Sequence, residues 1–209
     1  MIWLTIYAGC ARPARSARRC FLILTGDDAV VELMEKPAFG GLLPVEVGGC
    51  RIFTAPPEPM HLILPYKGQG KPLSDAMKKA HGMAFPAAGR ATGKEGARLV
   101  WFGLDQAMLI GPVPDARLSE FAAVVDQSDG WAVMRLQGPQ AEDVLARLVP
   151  VDIRAGHFKR GQTMRTQLQH LHVSITRIGV ELFQIMAMCS MAKTLVDELH
   201  GAMRLIAAR

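Results

Sequence analysis

Residues 126–148 read DQSDGWAVMRLQGPQAEDVLARL. WAVMRLQ alternates in the period of two that marks a strand with one buried face. After Pro139 the period changes, and Ala141, Val144, Leu145, Leu148 and Val149 recur at helical spacing. Glu142 and Asp143 in the first turn of that helix and Arg147 in its last suit the helix dipole. A strand that passes through Gly138-Pro139 into a helix can cradle an anion, seat a partner or turn a corner. Pro139 brings no N–H, which removes one of the amides an anion would need, so the structural corner is the expectation.

The chain after this junction continues in strands. MRTQLQHLHVSITRIG (164–179) and ELFQIMAM (181–188) read as long antiparallel strands around Gly179, and Ser190 is the expected cap of a final helix. Ala192, Leu195, Val196, Leu199, Met203 and Ile206 form one apolar stripe along that helix. Before the junction, LPVEVGGCRIFTAPP predicts a hairpin in which Val45 and Val47 face 51–54 across Gly48-Gly49. HLILPYKG (61–68) is a further strand, and PLSDAMKKAHG (72–82) a short helix with Ser74 as N-cap and Gly82 as stop. FPAAGRATGKEGA reads as a loop, RLVWFGLDQAMLIG (98–111) as two strands around a turn at 103–106, and PDARLSEFAAVV as a helix start with Pro114 near its first turn. The fold class expected is α+β, antiparallel sheets with helices packed on one face. Residues 1–40 are expected to be an N-terminal extension and 41–209 the α+β domain.

Half of the 209 residues are apolar, enough to bury a core. The net charge of +5 permits a basic nucleic-acid-binding module. Four of the excess charges, however, fall on Arg12, Arg15, Arg18 and Arg19, ahead of the first acidic residue at Asp27, and aromatic residues make up only 6%. Few rings are left for base stacking, and nucleic acid is not an expected partner. Cys10, Cys20, Cys50 and Cys189 form no C-x-x-C pair and read as reduced thiols of a cytoplasmic protein. No apolar run reaches the roughly 18 to 20 residues of a membrane-spanning helix, and MIWLTIYAG precedes the arginines rather than following them, the wrong order for a secretory signal.

Four local patterns carry chemistry on paper. Ser190-Met-Ala-Lys193 matches S-x-x-K, but only 16 residues follow Lys193, too few for the later elements of an acylating serine enzyme. The stretch from Gly89 to Glu95 resembles a phosphate loop one residue short, with Glu95 where a magnesium-binding hydroxyl belongs. His170 and His172, two apart on a strand, would share a face and could ligate a metal, with no third ligand evident. Asp126 and Asp129 could pair as carboxylates, and capping the turn before Trp131 is the expected alternative. Each of these has an ordinary structural reading, and no catalytic, cofactor-binding or metal residue is assigned in this chain.

Over about four fifths of its length the sequence resembles the gamma subunit of heterotetrameric sarcosine oxidase. The resemblance is carried by LPVEVGGCRIFTAPPEPMHLILPYKGQ, HGMAFPAAGRATGKEGARLVWFGLDQA, DQSDGWAVMRLQGPQAEDVLARLVPVDIR, HFKRGQTMRTQLQHL and MAKTLVDEL. It implies a non-catalytic subunit of a cytoplasmic enzyme that demethylates sarcosine to glycine with peroxide formation. It further implies alpha, beta and delta partners, with FAD, FMN, NAD, tetrahydrofolate and zinc held on those other subunits. The fold implied is that of the N-terminal part of the glycine-cleavage aminomethyltransferases, packed against the folate-binding half of the alpha subunit. Those enzymes carry an Asp in the strand that here reads LQHLHVSITR, which contains no carboxylate. The candidate structural or interface residues are Trp101, Asp105, Asp129, Trp131, Arg154 and Arg165. A stand-alone folate-binding or one-carbon-transfer protein is the alternative reading.

Overall fold

The computed structural model describes residues 20–21, 32–33 and 36–209. The chain divides into two units. Of the first, up to Pro37, only an antiparallel pair is described, β1 (Cys20–Phe21) with β2 (Glu32–Leu33). The expected N-terminal extension and its Arg12, Arg15, Arg18 and Arg19 lie largely outside the described residues. The second unit, Ala38–Arg209, carries everything that follows.

Its strands and helices are β3 (Val45–Val47), β4 (Cys50–Thr54), β5 (Met60–Pro65), α1 (Gly70–His81), β6 (Ala91–Lys94), β7 (Ala97–Gly103), β8 (Gln106–Ile110), β9 (Ala122–Asp126), β10 (Trp131–Gln137), α2 (Ala141–Ala146), β11 (Thr163–Leu168), β12 (Leu171–Arg177), β13 (Leu182–Met188) and α3 (Ala192–Ala207). They form two antiparallel sheets, of order β11-β12-β13-β10-β4-β3 and β6-β7-β8-β5-β9. In the six-stranded sheet Ile52, Met134, Leu136, Ile175, Phe183 and Ile185 point to α2 and α3, which contribute Leu145, Leu195, Val196 and Leu199. In the five-stranded sheet Ile63, Leu99 and Leu109 point instead to Leu73 and Met77 of α1. The two remaining faces meet through Met60, Val100, Phe102, Met108 and Ile110 on one side and Met186, Trp131 and Val133 on the other. Helices therefore cover one face of each sheet, in keeping with the expected α+β class of antiparallel sheets with helices on one face, and the two uncovered faces lie back to back. Strand alternation makes this possible, since strands such as β7, β8, β10 and β13 turn their two faces into different cores.

Several elements follow the sequence reading and several depart from it. The hairpin at 45–54 forms around Gly48-Gly49, both at positive φ, and Gly82 ends α1 in the left-handed conformation with its N–H on Lys78 O at 3.0 Å. Helix α1 begins at Gly70 rather than at Ser74: the chain turns at Gly68, and Pro72 is tolerated in the first turn. Ser74 lies inside the helix and its hydroxyl accepts from Phe85 N at 3.2 Å. The expected loop at 85–97 holds strand β6, because Thr92 and Gly93 pair with Leu99 and Arg98. The expected helix after Pro114 is a single 3-10 turn, Ala116–Glu120, capped by Asp115, and β9 follows because Ala123, Val124 and Val125 pair with β5. The long strand expected over 164–179 is two strands, folded back at Gln169, whose φ is 52°. Helix α3 begins at Ala192 with Met191 as its N-cap, so Ser190 caps nothing through its side chain.

The Gly138-Pro139 corner is closed. Gly138 N–H donates to Glu181 O at 3.1 Å, and Ala141 N–H donates back to Gly138 O at 3.1 Å. Gly138 has φ of 142°, and a Cβ there would stand 2.6 Å from Gly49 O and 2.8 Å from Cys50 Cα. Only glycine fits so close an approach of backbone to backbone.

Behind this corner Arg177, 3% exposed, forms an ion pair with Glu142 of α2, donates to Ile153 O at 3.1 Å and Val180 O at 2.7 Å, and lies 4.6 Å from the Phe183 ring centroid. Replacing Glu142 by Ala strands this guanidinium. Because Glu142 itself keeps contact with water, the expected loss is about 2 kcal/mol, below the full cost of breaking a buried pair, and Glu142→Gln should lose less. Urea unfolding of the three proteins measures both. Gly138→Ala should cost at least about 2 kcal/mol in the same assay through backbone strain alone.

A second prediction concerns pH. His81 Nε2 accepts the Asp115 N–H at 3.3 Å, and burial, opposed by the Asp115 carboxylate, lowers the imidazole pKa below its ordinary 6.5. The folded chain thus binds fewer protons than the unfolded chain below pH 6.5. Stability from this group is full above that pH and falls as the solution is acidified through the lowered folded value. His81→Gln, which keeps an acceptor but does not titrate, should flatten that part of the unfolding curve against pH.

Candidate functional site

Among the described residues no group of three His, Cys, Asp or Glu side chains could hold a metal ion. His170 lies in the turn after Gln169 and His172 on β12, so the shared strand face expected for them does not exist. The stretch resembling a phosphate loop is the β6–β7 hairpin, and its Glu95 pairs with Arg135 at 2.9 Å. Lys193 of the S-x-x-K pattern is 2.6 Å from Asp197 one turn along α3, an ordinary surface pair. Asp126 caps the turn before Trp131, accepting from Ser128 N at 3.0 Å and Ser128 Oγ at 2.6 Å, and Ser128 Oγ in turn accepts from Met60 N at 3.0 Å.

Of the six candidate residues, the structure brings Trp131 and Arg165 together, with Asp129 two residues before Trp131 in the chain. Trp131 opens β10 and Arg165 lies in β11, two strands removed across β12 and β13, and both point away from the α2–α3 core. Between them rises Phe102 from β7 of the other sheet. Phe102 and Trp131 meet edge to face with centroids 4.8 Å apart. The Arg165 guanidinium lies 4.2 Å from the Phe102 ring centroid and 5.4 Å from that of Trp131, and donates to Phe102 O at 3.2 Å. Partial burial lowers the Arg165 pKa, although a guanidinium stays charged throughout the physiological range. Among the described residues no carboxylate pairs with it. Ring, guanidinium and carbonyl together clip the two sheets at this end.

The patch extends outward from the ring pair. Trp131 pairs across the sheet with Met188, which is 56% exposed, and Met191 three residues on is 44% exposed. Asp129 is exposed two residues before Trp131, and among the described residues no cation pairs with it. Its charge, after burial, helps raise the thiol pKa of Cys189, whose backbone N–H donates to Gly130 O at 3.0 Å. Exposed thioethers beside a half-buried tryptophan have a composition common at partner surfaces.

The other three candidates lie elsewhere. Asp105 occupies the left-handed position of the β7–β8 turn, φ 49°, beside Leu104, and Trp101 is half-buried on β7 at the bulge before Gly103. Arg154 forms a two-point pair with Asp152, Nε to Oδ1 at 2.9 Å and a terminal nitrogen to Oδ2 at 2.6 Å, and this pairing holds the Asp152 carboxyl well below its ordinary pKa. Sequence reasoning missed Phe102 and Met188. Alternation through RLVWFG and ELFQIMAM holds the signal for both, since each sits in register with residues of the sheet-to-sheet face.

No protein-family model matches the chain. It is 29% identical over 138 residues to the sarcosine oxidase subunit gamma of Corynebacterium sp. strain U-96, a match covering 61% of this chain and 67% of that protein. The corresponding subunit of Corynebacterium sp. strain P-1 is 28% identical over 138 residues, covering 61% of this chain and 68% of that one. That of an Arthrobacter species is 27% identical over 121 residues, covering 53% and 60%. Among solved structures, a chain of the heterotetrameric sarcosine oxidase of Corynebacterium sp. U-96, in complex with pyrrole 2-carboxylate, has the same fold. The TM-score is 0.72 at 21% sequence identity, over 84% of this chain and 97% of that one. These findings support the resemblance to sarcosine oxidase gamma subunits stated from the sequence.

If the ring pair is a structural clip, Trp131→Ala should lower the stability of the isolated chain by about 2 to 3 kcal/mol, the cost of a large side chain that is only partly buried. Arg165→Gln should cost no more than about 1 kcal/mol. A Trp131→Ala chain with unchanged denaturation midpoint would remove the ring from the inter-sheet contact.

Proposed function

We propose that this chain is a non-catalytic gamma-type subunit of a heterotetrameric sarcosine oxidase, and that the surface around Trp131 seats it against the folate-binding half of the large alpha subunit. The observation that carries the reading is the match of 138 residues to subunits of that name, over two thirds of their length. The shared fold with a chain of such a heterotetramer supports it. The absence of any carboxylate from LQHLHVSITR supports the non-catalytic part, because the aminomethyltransferases, whose fold the sequence resemblance implies, carry an Asp there. In this reading the alpha, beta and delta subunits hold FAD, FMN, NAD, tetrahydrofolate and zinc. The complex oxidises sarcosine to glycine in the cytoplasm and passes the one-carbon unit to tetrahydrofolate. Among the described residues no helix is long and apolar enough to cross a membrane.

The test is recovery of the tagged full-length chain from its native cells at moderate salt. A yellow eluate with three equimolar companions and sarcosine-dependent peroxide production is the expected result. A colourless, solitary protein would sink the subunit reading, and saturable binding of tetrahydrofolate by that lone protein would establish the stand-alone alternative.

A further inference from the structure

We propose that Arg165 and Asp129 form a two-charge key on this surface: Arg165 takes a carboxylate of the large subunit, Asp129 takes a cation, and Trp131 with Met188 fills the apolar space between them. The proposal rests on the subunit reading above and names the chemistry by which the partner is recognised. Three observations carry it. The Arg165 guanidinium is already oriented, stacked on Phe102 and Trp131 and tied to Phe102 O, so its planar fork is held in place before a partner arrives. Less side-chain freedom remains to be lost on binding, which favours Arg over a flexible Lys. The described residues supply no carboxylate to it, so the charge of this oriented guanidinium is left for a partner.

Second, Asp129 is exposed close in the chain to Trp131 and likewise has no cation among the described residues. Two opposite charges at different points about Trp131, one 5.4 Å from its ring centroid and the other two residues before it in the chain, give a docking surface a direction, because a partner presented the wrong way round would bring like charges together. Third, the centre is of the right kind. Tryptophan and arginine are the residues around which interface energy concentrates, and the exposed thioethers of Met188 and Met191 adapt to a facing apolar surface. The complementary surface is therefore an apolar patch with one acidic and one basic side chain at its two margins.

The experiment uses the tagged full-length chain expressed in its native cells, as wild type and as Arg165→Gln, Arg165→Lys, Asp129→Asn and, for comparison, Arg117→Gln, whose side chain is engaged with Asp115 on another surface. Flavin absorbance per captured chain is recorded at low and at high salt, and the dissociation rate of flavoprotein from the immobilised chain is measured. Loss of a hydrogen-bonded charge partner from a desolvated interface should speed dissociation of Arg165→Gln at least about 30-fold. Arg165→Lys should restore only part of the affinity, because an ammonium neither stacks nor binds a carboxylate at two points. Asp129→Asn should dissociate faster by a smaller factor and show a weaker dependence on salt. Arg117→Gln should match wild type.

Urea midpoints of the isolated variants separate misfolding from lost recognition, and Asp129→Asn, at an exposed turn, provides a second readout should Arg165→Gln fail to fold. Wild-type dissociation rates in folded Arg165→Gln and Asp129→Asn would overturn the key while leaving the subunit reading standing. A wild-type chain that captures no flavoprotein would overturn both.

Discussion

One buried cation ties together four stretches of the six-stranded half of the fold. Arg177 ends β12, and its main chain bonds to Gly161 and Gln162, while its side chain reaches α2, the segment at Ile153 and the turn at Val180. Taking a guanidinium out of water is costly, and the cost is met only if several acceptors converge on it. Four separate stretches of chain must therefore arrive together. The interaction contributes less to net stability than to uniqueness of arrangement, because an alternative packing of α2 or of the loop before β11 would leave the charge uncompensated. Arg177 Nε, without a hydrogen-bond partner, shows that even this site is not fully satisfied.

From that anchor the rest follows by alternation. The residues of β10 and β13 that point away from Arg177's core become the face on which the second sheet rests. That face is not uniformly apolar: Thr163, Ser174, Thr176 and Gln184 are buried in it. Thr176 Oγ1 donates to Thr163 Oγ1 at 2.9 Å, and Thr163 Oγ1 donates to Ile175 O at 3.2 Å, so part of this layer holds itself together by hydrogen bonds. The apolar contact between the sheets is concentrated at Met60, Val100, Phe102, Met108, Ile110 and Met186, where Phe102 reaches Trp131 and Arg165. The proposed partner surface is thus the outer rim of an internal contact, and both draw on the same side chains.

The elements with strong local signals were legible. The Gly48-Gly49 hairpin, the Gly82 stop, the 103–106 turn and the strand-corner-helix at 131–146 all depend on short-range chemistry that a sequence displays. The failures share a cause. Strand β6 and strand β9 are defined by what they pair with, β7 and β5, and RATGKEGA or SEFAAVV shows no partner from within. The break at Gln169 was hidden because glutamine rarely adopts positive φ and gives no turn signal. At the candidate site, Trp131 and Arg165 could be singled out one by one. Their meeting required Phe102, contributed by a different sheet, and that convergence is a property of topology that periodicity does not encode.

The sheets are also stitched along one margin. Arg90 bridges Gln162, with Ala91 N–H on Gly161 O at 2.8 Å and Thr163 N–H on Gly89 O at 3.0 Å, so the outermost strand of one sheet continues into the outermost strand of the other. On the far margin β3 and β9 each have a neighbour on one side only. The sandwich is bound like a book along its spine and open at its fore-edge. Slow amide exchange should accordingly be deepest at the spine, and opening events short of global unfolding should begin at β9, in the manner of a cover lifting rather than of pages separating throughout.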